Sequence, residues 1–297
     1  MLLIKDIFSK GLIILAIFSL GLTGCGASNE TSNETGGTGT LNLRITDSPF
    51  LIDLIEEATV TISKISIHVS DSPEVTSGFI TMTLDQPKTF DLLKLQGGVT
   101  DSLISASIPA GTYKQIRLFV DSASVKLWDD EVVFPLEIPS GSQSGIKIFP
   151  KPSIIVDGGL TTDLVLDFDV SRSFTPIPAS STKASDISEF KFHPVVRVVN
   201  SSSAGSISGT ILSDNGTQGD ASDDMQFEGA AITAFEGTVE VSTAFSQTNG
   251  SYVLPFLPEG TYNVTASHTS HDSSTETGIV VVVGNNTGGV DFTLPKQ

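Results

Sequence analysis

From Leu41 onward the chain alternates apolar and polar residues in short runs, the period of a half-buried β-strand. Leu41, Leu43 and Ile45 open the series, and Val60 with Ile62, then Ile65, Ile67 and Val69, continue it. The step from Ile62 to Ile65 breaks the period of two and predicts a β-bulge near Ser63-Lys64. Ile80, Met82 and Leu84 alternate again, as do Ile116, Leu118 and Val120. Residues 125–128, an Asp129-Asp130 turn and residues 131–136 predict a hairpin. Residues 154–156, 164–170 and 190–199 complete this first set. Short helices are expected only at 50–57, 90–95 and 102–106.

The Ser-rich run 200–205 reads as a linker, and a second set of strands follows at 206–212, 230–235, 238–242, 251–256, 262–267, 279–283 and 289–294. That count suits a small Greek-key sandwich. The expected fold class is all-β: two tandem β-sandwich, immunoglobulin-like domains at 41–199 and 204–297. One motif occurs in both: Ile108-Pro109-Ala110-Gly111-Thr112-Tyr113 matches Leu257-Pro258-Glu259-Gly260-Thr261-Tyr262. Pro sets φ, Gly is expected at positive φ, and Tyr starts a strand with a hydroxyl that needs a partner, the logic of a tyrosine corner.

Ahead of the strands the pattern is different. Lys5 and Lys10 precede an apolar run at 11–22, too short for a comfortable membrane span of about 20 residues. Leu22-Thr23-Gly24-Cys25 follows and resembles the lipobox of bacterial lipoproteins. That resemblance implies a lipoprotein signal peptide over 1–24 and a lipidated Cys25 as the first mature residue. It also implies an exported protein held to a membrane, at an outer membrane or cell surface. Residues 25–40 hold no apolar side chain larger than Ala after the cysteine and read as a flexible tether.

Composition narrows the chemistry. Cys25 is the sole cysteine of the 297 residues, so no internal disulfide and no cysteine-based zinc site can form. With 34 acidic against 16 basic residues the net charge is −18, which argues against a nucleic-acid partner. No HExxH, GxSxG or GxxxxGK[ST] occurs, and Gly141-Ser142-Gln143-Ser144-Gly145 has Gln where a nucleophile elbow needs Ser. The expectation is a protein that is not an enzyme.

Two family resemblances follow. Gly205 to Ile211, Ala230 to Ala234, Thr248-Asn249-Gly250-Ser251-Tyr252 and the Leu257 to Tyr262 turn resemble the carboxypeptidase regulatory-like domain, a transthyretin-like sandwich. That resemblance implies an accessory module structurally similar to starch-binding-type domains. The run Gly39 to Leu41 with Thr46-Asp47-Ser48-Pro49, Phe90-Asp91-Leu92-Leu93, Asp167-Phe168-Asp169 and Phe192 to Val198 resembles domain of unknown function 4382 of surface lipoproteins. That family brings no activity with it.

Four sets of residues are candidates for chemistry. Asp163, Asp167 and Asp169 share one face of a strand, with Asp47 elsewhere in the domain, and can be read as oxygen ligands for Ca²⁺ or as an acid and base for glycoside hydrolysis. A solvated strand face fits the same pattern. Asp214, Asp220, Asp223 and Asp224 lack EF-hand spacing. His268 and His271, on one strand, would face opposite sides and make a poor metal pair. Trp128 has opposite parity to Val125 and Leu127; with those two inside, its ring is exposed and can stack on a sugar or a partner protein. A Trp covering one end of the sandwich fits too. The functional expectation is binding or scaffolding, with a polysaccharide ligand ahead of a protein partner in adhesion or assembly, the latter stiffened by calcium.

Overall fold

The structure is a computed structural model that describes residues 37–48, 54–72, 77–128, 132–138, 141–179, 181, 183–214, 222 and 224–297. The expected signal peptide at 1–24, Cys25 and residues 26–36 of the expected tether lie outside the described residues.

Among the described residues thirteen strands build the first module. They are β1 (Thr38–Ser48), β2 (Ile55–His68), β3 (Ile80–Asp91), β4 (Asp101–Pro109), β5 (Gly111–Tyr113), β6 (Gln115–Leu127) and β7 (Val133–Pro135). Then come β8 (Ile146–Ile148), β9 (Ile154–Val156), β10 (Thr161–Asp169), β11 (Phe174–Ile177), β12 (Glu189–Phe192) and β13 (Val196–Asn200). Single helical turns stand at α1 (Gly141–Ser144) and α2 (Val170–Ser173). One sheet has the order β13-β10-β1-β4 and the other β3-β2-β6-β7, with β8 also on β6. Leu41, Leu43 and Ile45 of β1 and Leu164, Leu166 and Phe168 of β10 meet the alternating Ile and Val of β2 and β6 in one buried cluster. β1 and β10 run parallel, Leu43 opposite Leu164, so these apolar sets lie side by side on the same sheet face.

The predicted bulge is present: β2 shifts register between Ile62 and Lys64 against both neighbours, and the apolar face is kept on either side of it. The β6–β7 hairpin forms as expected, with Val125 opposite Phe134. Of the expected helices, 102–106 does not form and 90–95 forms only in part. Residues 102–106 lie within β4, where pairing with β1 supplies a ladder that overrides a weak local preference. Only Leu92–Leu95 of the second becomes helical, as a 3₁₀ turn. The third expected helix, 50–57, starts outside the described residues, and from Ile55 the chain is strand.

The second module has β14 (Ala204–Asp214), β15 (Met225–Gln226), β16 (Ala231–Glu236), β17 (Val239–Phe245), β18 (Ser251–Pro258), β19 (Gly260–His268), β20 (His271–Val281), β21 (Asn286–Thr287) and β22 (Phe292–Pro295). One sheet is centred on β14, flanked by β18 and, in parallel, by β21 and β22; the other has the order β17-β16-β19-β20. Tyr252, Leu254, Leu257, Tyr262, Val264 and Phe292 join Ile207 and Ile211 in a second core. β20 starts eight residues before its apolar part because main-chain pairing and a Thr265–Thr275 hydroxyl contact of 2.9 Å extend the ladder through polar sequence.

The Ser-rich run between the modules is a capped turn. Ser201–Ser203 is 3₁₀, the Ser202 amide donates to Asn200 Oδ1 at 3.0 Å, and Ser201 Oγ donates to the Asp163 carbonyl at 3.2 Å. Gly205 is packed so closely that a Cβ there would stand 2.5 Å from the Val282 carbonyl oxygen.

Both copies of the repeated motif close the same way. Tyr113 donates its hydroxyl to the Pro109 carbonyl at 2.7 Å, and Tyr262 donates to the Pro258 carbonyl at 2.8 Å, each four residues back. Both rings are buried. The glycines act otherwise than expected: neither Gly111 nor Gly260 has positive φ, and a Cβ on Gly111 meets nothing within 4 Å. The motif is therefore held by its tyrosine hydroxyl. Tyr113→Phe should destabilise the first module, and Tyr262→Phe the second, by about 1–2 kcal/mol for the orphaned carbonyl. Gly111→Ala should change stability little. Denaturant unfolding of the three variants checks this ranking.

Candidate binding surface and module junction

Trp128 stands at the end of β6, where the alternation forces it outward. Val125 and Leu127 are buried, and Trp128 is 63% exposed. Its amide donates to the Leu54 carbonyl at 3.0 Å, tying the strand end to the chain that enters β2. Phe134 of β7 packs edge-on against Phe190, with centroids 5.4 Å apart. Val132 and Val133 are exposed beside this hairpin, so a large ring and two branched aliphatics are presented on a fixed base. The hairpin tip, residues 129–131, lies outside the described residues.

The acidic face of β10 is hydrogen-bonded within the protein. Asp163 accepts from Asn42 Nδ2 at 2.8 Å. Asp169 caps α2, accepting from the Arg172 amide at 3.0 Å and from Ser171 Oγ at 2.6 Å. Asp167 is buried and receives Arg197 at 2.6 Å. Each carboxylate has its own donor, and no group of three or more His, Cys, Asp or Glu able to hold a metal occurs among the described residues. Nor is this face simply solvated: Val165 on it is buried while belonging to neither core.

Arg197 is the residue that sequence reasoning missed. It lies on β13 opposite Asp167 and donates to that carboxylate through Nε at 3.2 Å and Nη2 at 2.6 Å. Its third arm, Nη1, donates to the carbonyl of Phe256 in the second module at 3.2 Å. That carbonyl is available because β18 bulges there and Phe256 takes φ of 54°, the left-handed region. Gly98 of the first module faces Pro255, the neighbouring residue of the bulge. The only sequence signal was parity, a lone cation on the strand face that meets Asp167.

Two cavities adjoin this junction. An apolar one of about 240 Å³ lies among Pro150, Pro152, Leu164, Val198, Val199 and Pro258. A polar one of about 160 Å³ includes Asp167, Arg172, Arg197, Glu240 and Thr243. A groove of about 700 Å³ runs between the edge strands β3 and β4 and is bridged by Lys88 to Asp101 at 2.7 Å.

Asp47 sits in the first core, not on the acidic face. Its Oδ1 accepts from the Val170 amide at 3.2 Å, and Oδ2 has no partner within hydrogen-bond distance among the described residues. Burial, and then the negative charges of Asp167 and Asp169, push its carboxyl well above the usual carboxylate range.

His268 and His271 also differ from expectation. They close the β19–β20 hairpin as a cross-strand pair, so their rings share a side, with centroids 5.7 Å apart. Asp214 is buried at the end of β14, and Asp220 and Asp223 lie outside the described residues.

Architecture and junction together define a tandem β-sandwich protein. Residues 38–193 match the family model described as Domain of unknown function (DUF4382), and the chain belongs to that family. Residues 206–295 match the carboxypeptidase regulatory-like domain. No curated protein matches the chain. Among solved structures, the Bacillus anthracis TIE protein is 12% identical over 88% of this chain, which spans 34% of that protein, at a TM-score of 0.24. GBS52, the minor pilin of Streptococcus agalactiae, is 9% identical over 86% of this chain and 96% of its own, at 0.25. BcpA, the major pilin subunit of Bacillus cereus, is 10% identical over 88% and 71%, at 0.24. Likenesses at these TM-scores carry no argument about this chain.

The Asp47 environment has a consequence for pH. Its folded-state pKa is raised, so its contribution to stability is full below the unfolded value of about 3.9 and is lost as pH rises through the folded value. Asp47→Asn keeps an acceptor for the Val170 amide without the charge. It should raise stability at neutral pH by about 1–3 kcal/mol and flatten the pH dependence above pH ~4. Thermal midpoints of both proteins across that range check it.

Proposed function

We propose that this protein is a non-catalytic cell-envelope lipoprotein that works as a binding or scaffolding module. The observation that carries the reading is Trp128, exposed on a hairpin whose base is packed and hydrogen-bonded. A flat indole held this way loses little freedom on contact and offers a stacking face to a pyranose ring. The ligand class is carbohydrate or a related polymer. Support for a non-catalytic role comes from the acidic strand, whose carboxylates are each engaged by a donor. The second reading is a protein partner in adhesion or assembly, favoured by exposed Val132 and Val133 on the same hairpin. The anchor rests on the lipobox-like Leu22-Thr23-Gly24-Cys25. Two acyl chains on Cys25 would hold the protein stably at a membrane, where one gives marginal binding.

Two outcomes are expected. Trp128→Ala should lower binding to a polysaccharide panel by tenfold or more, on the order of 1.4 kcal/mol, with unfolding unchanged. Equal retention of the variant and the parent would remove the sugar reading, and loss of a protein partner in its place would select the second. Cys25→Ser should move the protein from the detergent to the aqueous phase in a partition assay. Retention in the detergent phase would overturn the anchor.

A further inference from the structure

The β19–β20 turn of the second module carries a chain of hydrogen bonds that the binding role does not use. Ser213 Oγ lies 2.8 Å from His271 Nε2, His271 Nδ1 lies 2.9 Å from Ser270 Oγ, and Ser270 Oγ lies 2.9 Å from His268 Nδ1. Phe227 packs on both imidazoles, 4.3 Å from His271 and 4.8 Å from His268 between centroids. The C-terminal residues are tied to the same turn. The Gln297 amide donates to the Ser270 carbonyl at 3.1 Å, Gln297 Nε2 donates to the His271 carbonyl at 3.3 Å, and His271 forms a bridge with Lys296.

The direction of each proton follows from one bond. The Ser270 amide donates to His268 Nδ1 at 3.3 Å, so that nitrogen is an acceptor and carries no hydrogen. The Ser270 hydroxyl then also donates to His268 Nδ1, and His271 Nδ1–H donates to Ser270 Oγ. His271 Nε2 is left as the acceptor for the Ser213 hydroxyl. The chain is satisfied only with both imidazoles neutral. A proton on His268 Nδ1 removes the acceptor of two donors, and one on His271 Nε2 sets two donors against each other unless Ser213 turns.

The surroundings do not favour a proton on His271. Burial first, and then the nearby His268 and Lys296, oppose a positive charge there and hold its pKa below the ordinary value. The nearby acids are Asp272, which accepts from Gln297 Nε2 at 3.1 Å, Asp214 beside Ser213 and Glu228 beside Phe227. None of these three is among the influences that act on His271.

We propose that the Ser213–His271–Ser270–His268 chain is an acid-sensitive latch. With both imidazoles neutral it holds the Phe227 segment and the C-terminal strand against the second module; their protonation releases both. The sign follows from linkage. The unfolded chain takes up a proton on His271 before the folded module does, so stability conferred by the latch is full above about pH 6.5 and falls as pH drops below it.

The test uses the full chain and needs no ligand. Long-range proton–nitrogen NMR of the imidazoles at about pH 7.5 should show His271 as the Nδ1–H tautomer, titrating below about 6.5. Amide exchange at Phe227, Ser270 and Gln297, corrected for intrinsic rates, should rise severalfold between pH ~7.5 and ~5. Protection at Tyr252 and Leu254 should hold. In His271→Asn, whose amide can donate to Ser270 in place of Nδ1–H, the pH response should shrink. An Nε2–H tautomer for His271, titration at or above the ordinary value, or unchanged exchange in the native protein would each overturn the latch. The native-protein readings stand even should the variant fold poorly.

Discussion

The relation between the two sandwiches depends on one guanidinium. Arg197 holds Asp167 with two of its nitrogens and the Phe256 carbonyl with a third. Each partner needs it for a different reason. Asp167 is buried, and an unpaired buried carboxylate costs several kcal/mol, on the order of 3–5 when a partner is removed. The Phe256 carbonyl has left its strand ladder at a bulge, and a backbone acceptor so displaced needs a donor. A non-glycine residue in the left-handed region carries about 1–3 kcal/mol of strain, which persists only where surrounding contacts over-determine it. The planar fork of arginine meets both acceptors at once, and a lysine at this position could not.

The short turn at Ser201–Ser203 is consistent with this clamp. A slack linker would let the modules swing and would expose Asp167 and the displaced carbonyl by turns. The chain instead enters β14 directly from a capped turn, with Gly205 packed against the Val282 carbonyl. Low hydrophobicity at 200–205 reads as slack when the serines are counted alone. Their hydroxyls and amides are engaged locally, by Asn200 and by the Asp163 carbonyl.

Much of the fold was legible because strand alternation is a local property. The bulge at Ser63-Lys64, the β6–β7 hairpin, the outward Trp128 and the partners sought by Tyr113 and Tyr262 all follow from parity or from one turn. What was misread depends on pairing between distant segments. Residues 102–106 form a strand because β1 lies alongside, and β20 begins in polar sequence because β19 does. His268 and His271 share a side because a turn, not a strand, separates them. On the acidic face of β10 the sequence shows the carboxylates and hides their donors: Asn42 and Arg197 come from other strands.

The parallel pairings carry a consequence for how the chain is made. In each module the first strand occupies the middle of its sheet and pairs in parallel with a strand from late in the same module: β1 with β10, and β14 with β22. Loops that long close slowly, and their contacts come only after the entropy of closure has been met. A chain that grows from its N-terminus presents β1 more than a hundred residues before the strand that completes its sheet. Until Leu43 meets Leu164, the apolar row of β1 has one neighbour in that sheet, β4. The second module repeats the arrangement, since Asp214 on β14 has Pro295 of β22 as its partner. Neither sandwich can close early, because each first strand waits for a partner made late in its own module.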